Sequence, residues 1–142
     1  MKLLDLNLLH YAVNKDSRQQ RKAKAWLDNV MSGEEPVAFP WIVLLGFLRI
    51  STNRSILSRP LSLSKALEIV SGWLAQPAAR TLSPQEEHWR ILRSLLADTG
   101  TAGNLTTDAH LAALAIEHGC ELCSTDNDFA RLPKLRWINP LS

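Results

Sequence analysis

This chain has few cysteines and lacks any apolar run long enough to cross a membrane. The longest apolar stretch, 37–48, is interrupted by Pro40, whereas a membrane-spanning helix needs about 20 consecutive apolar residues. The N-terminal apolar run ends at Asp5, which is too early for a secretory signal peptide. We therefore expect a soluble protein of the cytoplasm with no membrane partner.

Both cysteines, Cys120 and Cys123, have a spacing that also occurs in redox pairs and in half of a zinc site. A zinc site needs about four ligands, and His118 is the one histidine nearby. In a strand, side chains three positions apart point to opposite faces and lie about 10 Å apart, which is too far for a disulfide. We predict free, mostly buried thiols.

The charges are unevenly distributed, although the net charge is only +2. Acids are absent from 36–67, and basic residues fill this segment and the one before it: Arg49, Arg54, Arg59 and Lys65, then Lys15, Arg18, Arg21, Lys22 and Lys24. Between 86 and 128, eight acids outnumber two arginines. An acidic centre with basic flanks is typical of a metal-dependent nuclease, although solvated helix faces produce the same pattern.

Strand-like and helical patterns alternate without a repeat or a linker, so we interpret residues 1–142 as one domain. The predicted strands are 2–4, 37–39, 122–124 and 135–138, with a strand or turn at 81–82. The predicted helices are 6–11, 17–31, 40–52, 62–75, 83–97, 106–118 and 126–132, with a loop at 99–104. This alternation favours a three-layer α/β fold whose helices cover both faces of a mainly parallel central sheet.

Capping signals set several of the predicted helix boundaries. Ser17 with Gln20, and Ser83 with Glu86, match a capping box, in which two side chains bond the free backbone N–H groups of a helix start. Gly119 matches the residue that commonly ends a helix.

Aspartates follow the predicted strands at points that a parallel sheet brings to one edge. Asp5 follows the first strand, Asp126 follows the strand at 122–124 with Asp128 two residues later, and Asp108 lies in a first helical turn. Sites in such sheets gather at the carboxyl ends of strands. Converging carboxylates repel one another, and a hard divalent cation stabilises them. Taken singly, Asp5 and Asp126 also suit helix capping, and Asp108 suits a helix dipole.

Four sequence blocks span nearly the whole chain in a fixed order. They are MKLLDLNLL at 1–9, PWIVLLGFLR at 40–49, TDAHLAALA at 107–115 and STDNDF at 124–129. In this order they resemble the VapC-type PIN-domain toxins of bacterial toxin-antitoxin systems. One block alone would be unspecific, whereas four in order are specific.

The resemblance implies a PIN-like endoribonuclease toxin that hydrolyses RNA with water activated by Mg²⁺, or by Mn²⁺ as a substitute. By matching position, it makes Asp5, Asp108 and Asp126 metal-binding acids and Asp128 an additional or neighbouring acid. Thr125 would orient a ligand or a water through its hydroxyl, with strand-end capping as the structural alternative. The implied substrate is tRNA or rRNA, cleaved to 5′-phosphate and 3′-hydroxyl ends.

The same resemblance implies a homodimer and a cognate antitoxin protein. Such antitoxins place a helix in a hydrophobic groove. The helix at 62–75, with the basic segment before it, is the predicted part of that surface. Asn7 and Asn104 are candidate hydrogen-bond donors near the site, with turn formation as the alternative for each. The four histidines receive no catalytic role, and the five tryptophans are expected to pack in the core or at an interface.

One position departs from the family's pattern. Many members carry a glutamate on the helix after the second strand, where this chain has Gly46. Glycine inside a helix costs about 1 kcal/mol relative to alanine, so Gly46 indicates close packing or space for a ligand. Gly46, Arg49 and Asn53 share a helix face. We expect this face to look onto the acids, with Arg49 pairing to a carboxylate or an RNA phosphate, or else forming a structural ion pair.

Two other functions are alternatives to the nuclease interpretation of this sequence. A catalytically degenerate PIN domain that only binds RNA or a protein stays open because of Gly46, and it predicts RNA binding without metal. Another aspartate-based phosphotransfer fold is disfavoured, because residue 7 is asparagine rather than a second acid. Gly-rich nucleotide-binding loops are absent from the sequence.

Overall fold

The computed structural model describes residues 1–100 and 103–142, without the side chain of Asn104. The described residues form five strands and six α-helices, with two short 3₁₀ turns. The strands are β1 (Lys2–Leu4), β2 (Val37–Ala38), β3 (Ala79–Arg80), β4 (Glu121–Cys123) and β5 (Trp137–Ile138). The helices are α1 (Leu6–Val13), α2 (Gln20–Met31), α3 (Trp41–Ser51), α4 (Leu63–Leu74), α5 (His88–Thr99) and α6 (Thr106–His118). The 3₁₀ turns are Gly103–Leu105 and Asn127–Arg131.

The central sheet is parallel throughout and has the strand order β3-β2-β1-β4-β5. The strand β1 is in the middle, where Leu3 pairs with Ala38 on one side and with Leu122 on the other. Helices flank the sheet, so the predicted α/β class is confirmed. The carboxyl end of β1 therefore opens between those of β2 and β4.

Apolar side chains of the strands and helices form one buried cluster around this sheet. Leu3, Leu4 and Leu122 are fully buried in the strands. Burying such a side chain stabilises the fold by about 1.5–3 kcal/mol. Continuous burial of the central strands explains why they read as uninterrupted apolar runs rather than as alternating patterns.

The tryptophans behave differently from one another. Trp73 stacks on Phe39 with ring centroids 5.8 Å apart and meets the edge of Phe47 at 4.8 Å, so its predicted packing is confirmed. Trp41 and Trp89 are instead 50% and 67% exposed. Trp89 points outward because the buried face of α5 carries His88, Ile91 and Leu95, which leaves the second helical position on the opposite side. The exposed rings are available for an interface.

Two predicted capping boxes are wrong, and the helices concerned start later. The Ser17 hydroxyl accepts a bond from the Gln19 backbone N–H at 3.1 Å, in a turn, and α2 begins at Gln20 without a side-chain cap. At the other site, the carboxylate of Glu117 on α6 accepts bonds from the backbone N–H groups of Gln85 and Glu87, at 3.0 Å each. A tertiary contact thus replaces the local cap.

Replacing Glu117 with alanine is expected to lower the free energy of unfolding by about 1–3 kcal/mol, because two N–H groups before α5 lose a charged acceptor. The Glu117 side chain is only 5% exposed, so water replaces it poorly. Urea denaturation measures the change. The exposed Glu86→Ala variant is the matched control and should stay within about 0.5 kcal/mol of wild type. Equal stability of the two variants would contradict this role of Glu117.

The remaining boundaries follow the predictions with small shifts. Gly119 adopts φ 68° after α6, as its role in ending the helix requires. The minor strand is Ala79–Arg80 rather than 81–82, and α5 continues to Thr99, the first residue of the predicted loop. The segment predicted as helix 126–132 is a 3₁₀ turn.

Both cysteines are free and buried, as predicted. Burial raises the pKa of the Cys123 thiol to about 12, so it stays protonated near neutral pH. Among the described residues, no helix has the length and apolar character required to span a bilayer.

Candidate active site

Three predicted acids approach one another at the carboxyl edge of the sheet. Asp5 directly follows β1, Asp126 follows the neighbouring strand β4, and Asp108 lies in the first turn of α6. Because β1 and β4 are adjacent and parallel, their ends bring Asp5 and Asp126 to the same rim. The site thus draws on both ends of the chain, which only the sheet pairing brings together.

Asp5 is held in place by two hydrogen bonds. Its Oδ1 accepts from the backbone N–H of Leu6 at 2.7 Å, which makes Asp5 the N-cap of α1. Its Oδ2 accepts from the hydroxyl of Ser124 at 2.7 Å. An ionised carboxylate has about four lone-pair sites, so both oxygens keep capacity for a further ligand. Capping and a site role are therefore compatible at Asp5.

Ser124 connects the first acid to the third and was not predicted from the sequence. Its buried hydroxyl donates to Asp5 and accepts from the side-chain amide of Asn7 at 3.1 Å and from the backbone N–H of Asp126 at 3.0 Å. The same network holds Asn7, whose Oδ1 accepts from the Thr125 N–H at 3.5 Å. The available signal was a small polar residue at a strand end between two predicted site acids.

The electrostatics of the acids reflect their convergence. Burial raises the pKa of Asp5, and the nearby charge of Asp126 adds to this, against the opposing hydrogen bonds from Ser124 and Leu6. The pKa of Asp108 is raised to about 6, first by burial and then by the charges of Asp126, Asp5 and Asp128. Three neighbouring carboxylates therefore disfavour a charge on Asp108.

The donor set has the chemistry of a magnesium or manganese site, because carboxylate oxygens are the ligands that these hard cations prefer. Mutual repulsion among the acids is the condition that a bound cation relieves. Within the described residues, however, no three His, Cys, Asp or Glu side chains are already arranged to hold an ion.

The other predicted residues take different positions. Asp126 accepts from the Asp128 backbone N–H at 2.9 Å and so caps the 3₁₀ turn, while the Asp128 side chain is exposed. Thr125 is half-buried between Ser124 and Asp126. The side chain of Asn104 lies outside the described residues. The site roles of Asp128 and Thr125 remain predictions.

Gly46 is explained by close packing rather than by an open space. A Cβ added to Gly46 would meet the Cδ2 atom of Leu6 at 2.9 Å, so α3 lies directly against the start of α1. Leu6 follows Asp5 in sequence, which places this part of α3 beside the acids. Arg49 is exposed, and no ion pair of Arg49 occurs among the residues that the structure covers. Its pairing with an RNA phosphate remains a prediction.

Two histidines without sequence proximity meet between α5 and α6. His88 Nε2 lies 3.0 Å from His110 Nδ1, and His88 Nδ1 is 3.7 Å from the Glu117 carboxylate. Burial lowers the pKa of both imidazoles, which favours their neutral forms. The pair joins two helices. That the histidines have no catalytic role stays a prediction.

Several known proteins resemble this chain. Residues 2–135 match the PIN domain family. Ribonuclease VapC37 of Mycobacterium tuberculosis is 43% identical over 140 residues, which cover 99% of this chain and 97% of that protein. The crystal structure of VapBC2 from Rickettsia felis, bound to a DNA fragment from their promoter, matches with a TM-score of 0.71 at 20% identity and covers 97% of each chain. A toxin-antitoxin complex from Klebsiella pneumoniae matches with a TM-score of 0.65 at 18% identity, covering 99% of this chain and 98% of that one.

These similarities agree with the parallel sheet and its flanking helices. The fold is that of the PIN-like α/β proteins, in which helices flank a five-stranded parallel sheet. The chain belongs to the PIN-domain family, and its 43% identity to a VapC ribonuclease over nearly its whole length places it in the VapC group. The resemblance seen in the four sequence blocks is thereby confirmed.

Proposed function

We propose that this chain is a single-domain, Mg²⁺-dependent endoribonuclease of the cytoplasm and the toxin of a toxin-antitoxin pair. The observation that carries the proposal is the convergence of Asp5, Asp108 and Asp126, which contributes to an Asp108 pKa of about 6. A relative named Ribonuclease VapC37, 43% identical over 140 residues, supports the choice of RNA as substrate.

The chain's own residues position the reacting groups. Asp5, Asp108 and Asp126 would hold the cation, and Asp128 on the adjoining 3₁₀ turn would add negative charge. A bound Mg²⁺, or Mn²⁺ in its place, would activate a water for in-line attack and stabilise charge on the leaving oxygen. Ser124 orients Asp5 through its hydroxyl and sets the backbone of Asp126 through the accepted N–H bond. Hydrogen bonds behind metal ligands commonly fix ligand orientation in this way.

Exposed basic side chains on α3 and directly after it are suited to the RNA backbone. Arg49 is exposed on α3, and Arg54 is exposed in the segment that follows. Arginine binds phosphate through two parallel N–H bonds, so these residues would orient a tRNA or rRNA strand across the site. Thr125 would position a ligand or water next to Asp126.

The decisive experiment compares cleavage of labelled tRNA and total RNA by the purified protein in Mg²⁺, in excess chelator, and for Asp5→Asn in Mg²⁺. We expect discrete cleavage that chelator abolishes and that falls by about 100-fold in the variant, since groups behind metal ligands already contribute about 10- to 100-fold. Asparagine is a good N-cap residue, so the start of α1 should persist in this variant.

The matched control is Asp98→Asn, which changes an exposed aspartate on α5 and should cleave like wild type. RNA that binds without metal and remains intact under all conditions would overturn the nuclease proposal. That result would favour the degenerate, binding-only PIN domain.

The proposed antitoxin surface lies on α4 and the adjacent helix α3. Leu63 and Leu67 on α4 are 62% and 46% exposed and lie one turn apart. On α3, Trp41 and Leu45 are 50% and 61% exposed, also one turn apart. Apolar residues at this spacing suit an amphipathic helix, which is the expected form of an antitoxin segment. The toxin-antitoxin complex from Klebsiella pneumoniae shares this fold, which supports such a partner. A homodimer is part of the same proposal.

A further inference from the structure

A cavity of about 200 Å³ lies between the carboxyl ends of α1 and α3. Its apolar lining includes Val13, Phe47 and Leu57. Phe47 follows Gly46, whose backbone packs against Leu6 next to Asp5. On α1 the cavity lining begins at His10, so about 7.5 Å of helix separates it from Asp5 at the N-cap.

The outer wall of the cavity is the segment after α3, which is fastened at several points. The backbone N–H of Leu61 donates to the carbonyl of Ser51 at 2.8 Å and closes this segment on itself. Arg59 donates to the carboxylate of Asp16 in the turn after α1, with a distance of 3.2 Å from its Nε. The bond from Arg59 to Asp16 joins elements 43 residues apart in sequence, so the cavity is preformed.

The polar groups of the cavity are incompletely paired. Ser51 lines the cavity and is 2% exposed, and its hydroxyl has no hydrogen-bond partner within the described part of the chain. A helical serine or threonine often bonds the carbonyl four residues earlier, as Thr52 does with Leu48 at 2.7 Å. A buried hydroxyl without a partner is destabilising, so a ligand that bonds it would gain affinity.

Two further polar side chains face the same space. His10 lines the cavity, and burial lowers its pKa, so the neutral ring offers one donor and one acceptor. Asn14 accepts from the Asp16 N–H at 3.1 Å and keeps its amide N–H groups for another partner. The lining therefore combines an aromatic ring with several donors and acceptors.

The size of the cavity limits the ligand. An apolar cavity of about 150 Å³ holds one benzene ring, so a volume of about 200 Å³ suits one planar ring system rather than a whole nucleotide. A nucleobase has a flat face for the apolar side chains of Val13 and Leu57 and polar edges for Ser51, His10 and Asn14. Single-stranded RNA is read through such splayed bases, which stack on aromatic side chains.

The charge at the cavity rim fits the rest of a nucleotide. Lys15, Arg59 and Asp16 line the cavity, and Asp16 pairs with Arg59, so Lys15 is the lining cation with no ion pair among the described residues. The side chain of Lys15 is exposed, so a phosphate outside the cavity can reach it. We propose that this cavity binds one extruded nucleobase of the RNA strand, next to the bond that is cleaved. This inference rests on the proposed ribonuclease function.

The test is an amide NMR titration of the full-length, metal-free protein with AMP, GMP, CMP or UMP, and with ribose 5-phosphate as the baseless control. At least one mononucleotide should shift the resonances of Val13, Phe47 and Ser51, whereas ribose 5-phosphate should not. Absence of such shifts with all four mononucleotides, or equal shifts with ribose 5-phosphate, overturns the proposal. An antitoxin peptide that shifts these resonances when no mononucleotide does would identify a protein-binding pocket and also overturn it.

Two variants sharpen the test. Val13→Phe fills the cavity and should abolish binding, while Ala97→Phe adds the same ring at an exposed position of α5 and should leave binding unchanged. Ser51→Ala removes the unpartnered hydroxyl, so the protein should be at least as stable as wild type while nucleotide affinity falls about fivefold to tenfold. Unchanged affinity in Ser51→Ala contradicts the proposal, whatever happens to Val13→Phe.

The outcome is separable from that of the cleavage experiment. Mononucleotide binding needs neither metal nor turnover, so a protein that binds nucleotides here without cleaving RNA would retain this inference and lose the nuclease proposal. A protein that cleaves RNA but whose cavity resonances do not shift would retain the nuclease proposal and lose this inference.

Discussion

Asp108→Asn is expected to reduce kcat/KM for RNA cleavage by about 100-fold or more and to stabilise the metal-free protein at neutral pH. The variant keeps the shape of the side chain but removes a charge that Asp126, Asp5 and Asp128 repel. The gain in free energy of unfolding should be about 1 kcal/mol, because solvent screens this half-buried group. Cleavage kinetics and urea denaturation in chelator measure the two effects.

The same repulsion predicts how the stability of the metal-free protein depends on pH. The folded pKa of Asp108 is about 6 and the model-compound value is 3.8, so the folded protein binds the proton more tightly than the unfolded chain. Metal-free wild type should therefore lose stability as pH rises from about 4 to 7. This contribution should be absent from Asp108→Asn.

The control for Asp108→Asn is Asp28→Asn, at an exposed aspartate on α2 that pairs with Lys24. The control should cleave like wild type and change stability by less than about 0.5 kcal/mol. Wild-type cleavage by Asp108→Asn would remove this residue from the site. A loss of stability in chelator would mean that the acids do not repel one another as proposed.

Ser124→Ala should lower the free energy of unfolding by about 1–3 kcal/mol, because Asp5, Asn7 and the Asp126 N–H all lose a buried partner. Cleavage should fall by about 10- to 100-fold, as expected for a group that orients a metal ligand. The hydrogen bond from Ser124 lowers the pKa of Asp5, so its loss should move the acidic limb of the pH–rate profile to higher pH.

The exposed Ser64→Ala variant on α4 is the matched control and should match wild type in all three measurements. A Ser124→Ala protein that is less stable but has an unshifted pH profile would assign Ser124 a packing role only. The shift in the profile is the readout that a purely structural serine would not produce.

The acids themselves were predicted because their positions follow from local patterns. A short apolar run that stops at Asp5 and another that stops before Asp126 mark two strand ends, and parallel strands bring such ends to one edge. The resemblance to VapC proteins added the functional class, which no composition or spacing had established. The prediction did not extend to the distances between the acids, because these depend on how α6 packs against the sheet.

Ser124 and Glu117 were missed for a common reason. The capping pattern at Ser83 is a local signal, yet the acceptor at the start of α5 is Glu117, which lies 30 residues beyond Glu87. In the same way, the partner of Asp5 lies 119 residues away in sequence. A pairing across such a separation leaves no spacing that a reader of the sequence could recognise.

The sequence by itself determined the alternation of strands and helices, the free and buried state of the two cysteines and the identity of the clustered acids. These properties depend on side-chain chemistry and on periodicities of a few residues, so they survive without a three-dimensional structure. Only the tertiary structure decided that Gly46 packs on Leu6, that Ser124 joins two acids and that Lys15 and Arg59 meet at one cavity. Each of these contacts requires the folded sheet to bring distant segments within a few ångströms, because hydrogen bonds and close packing act only over that range.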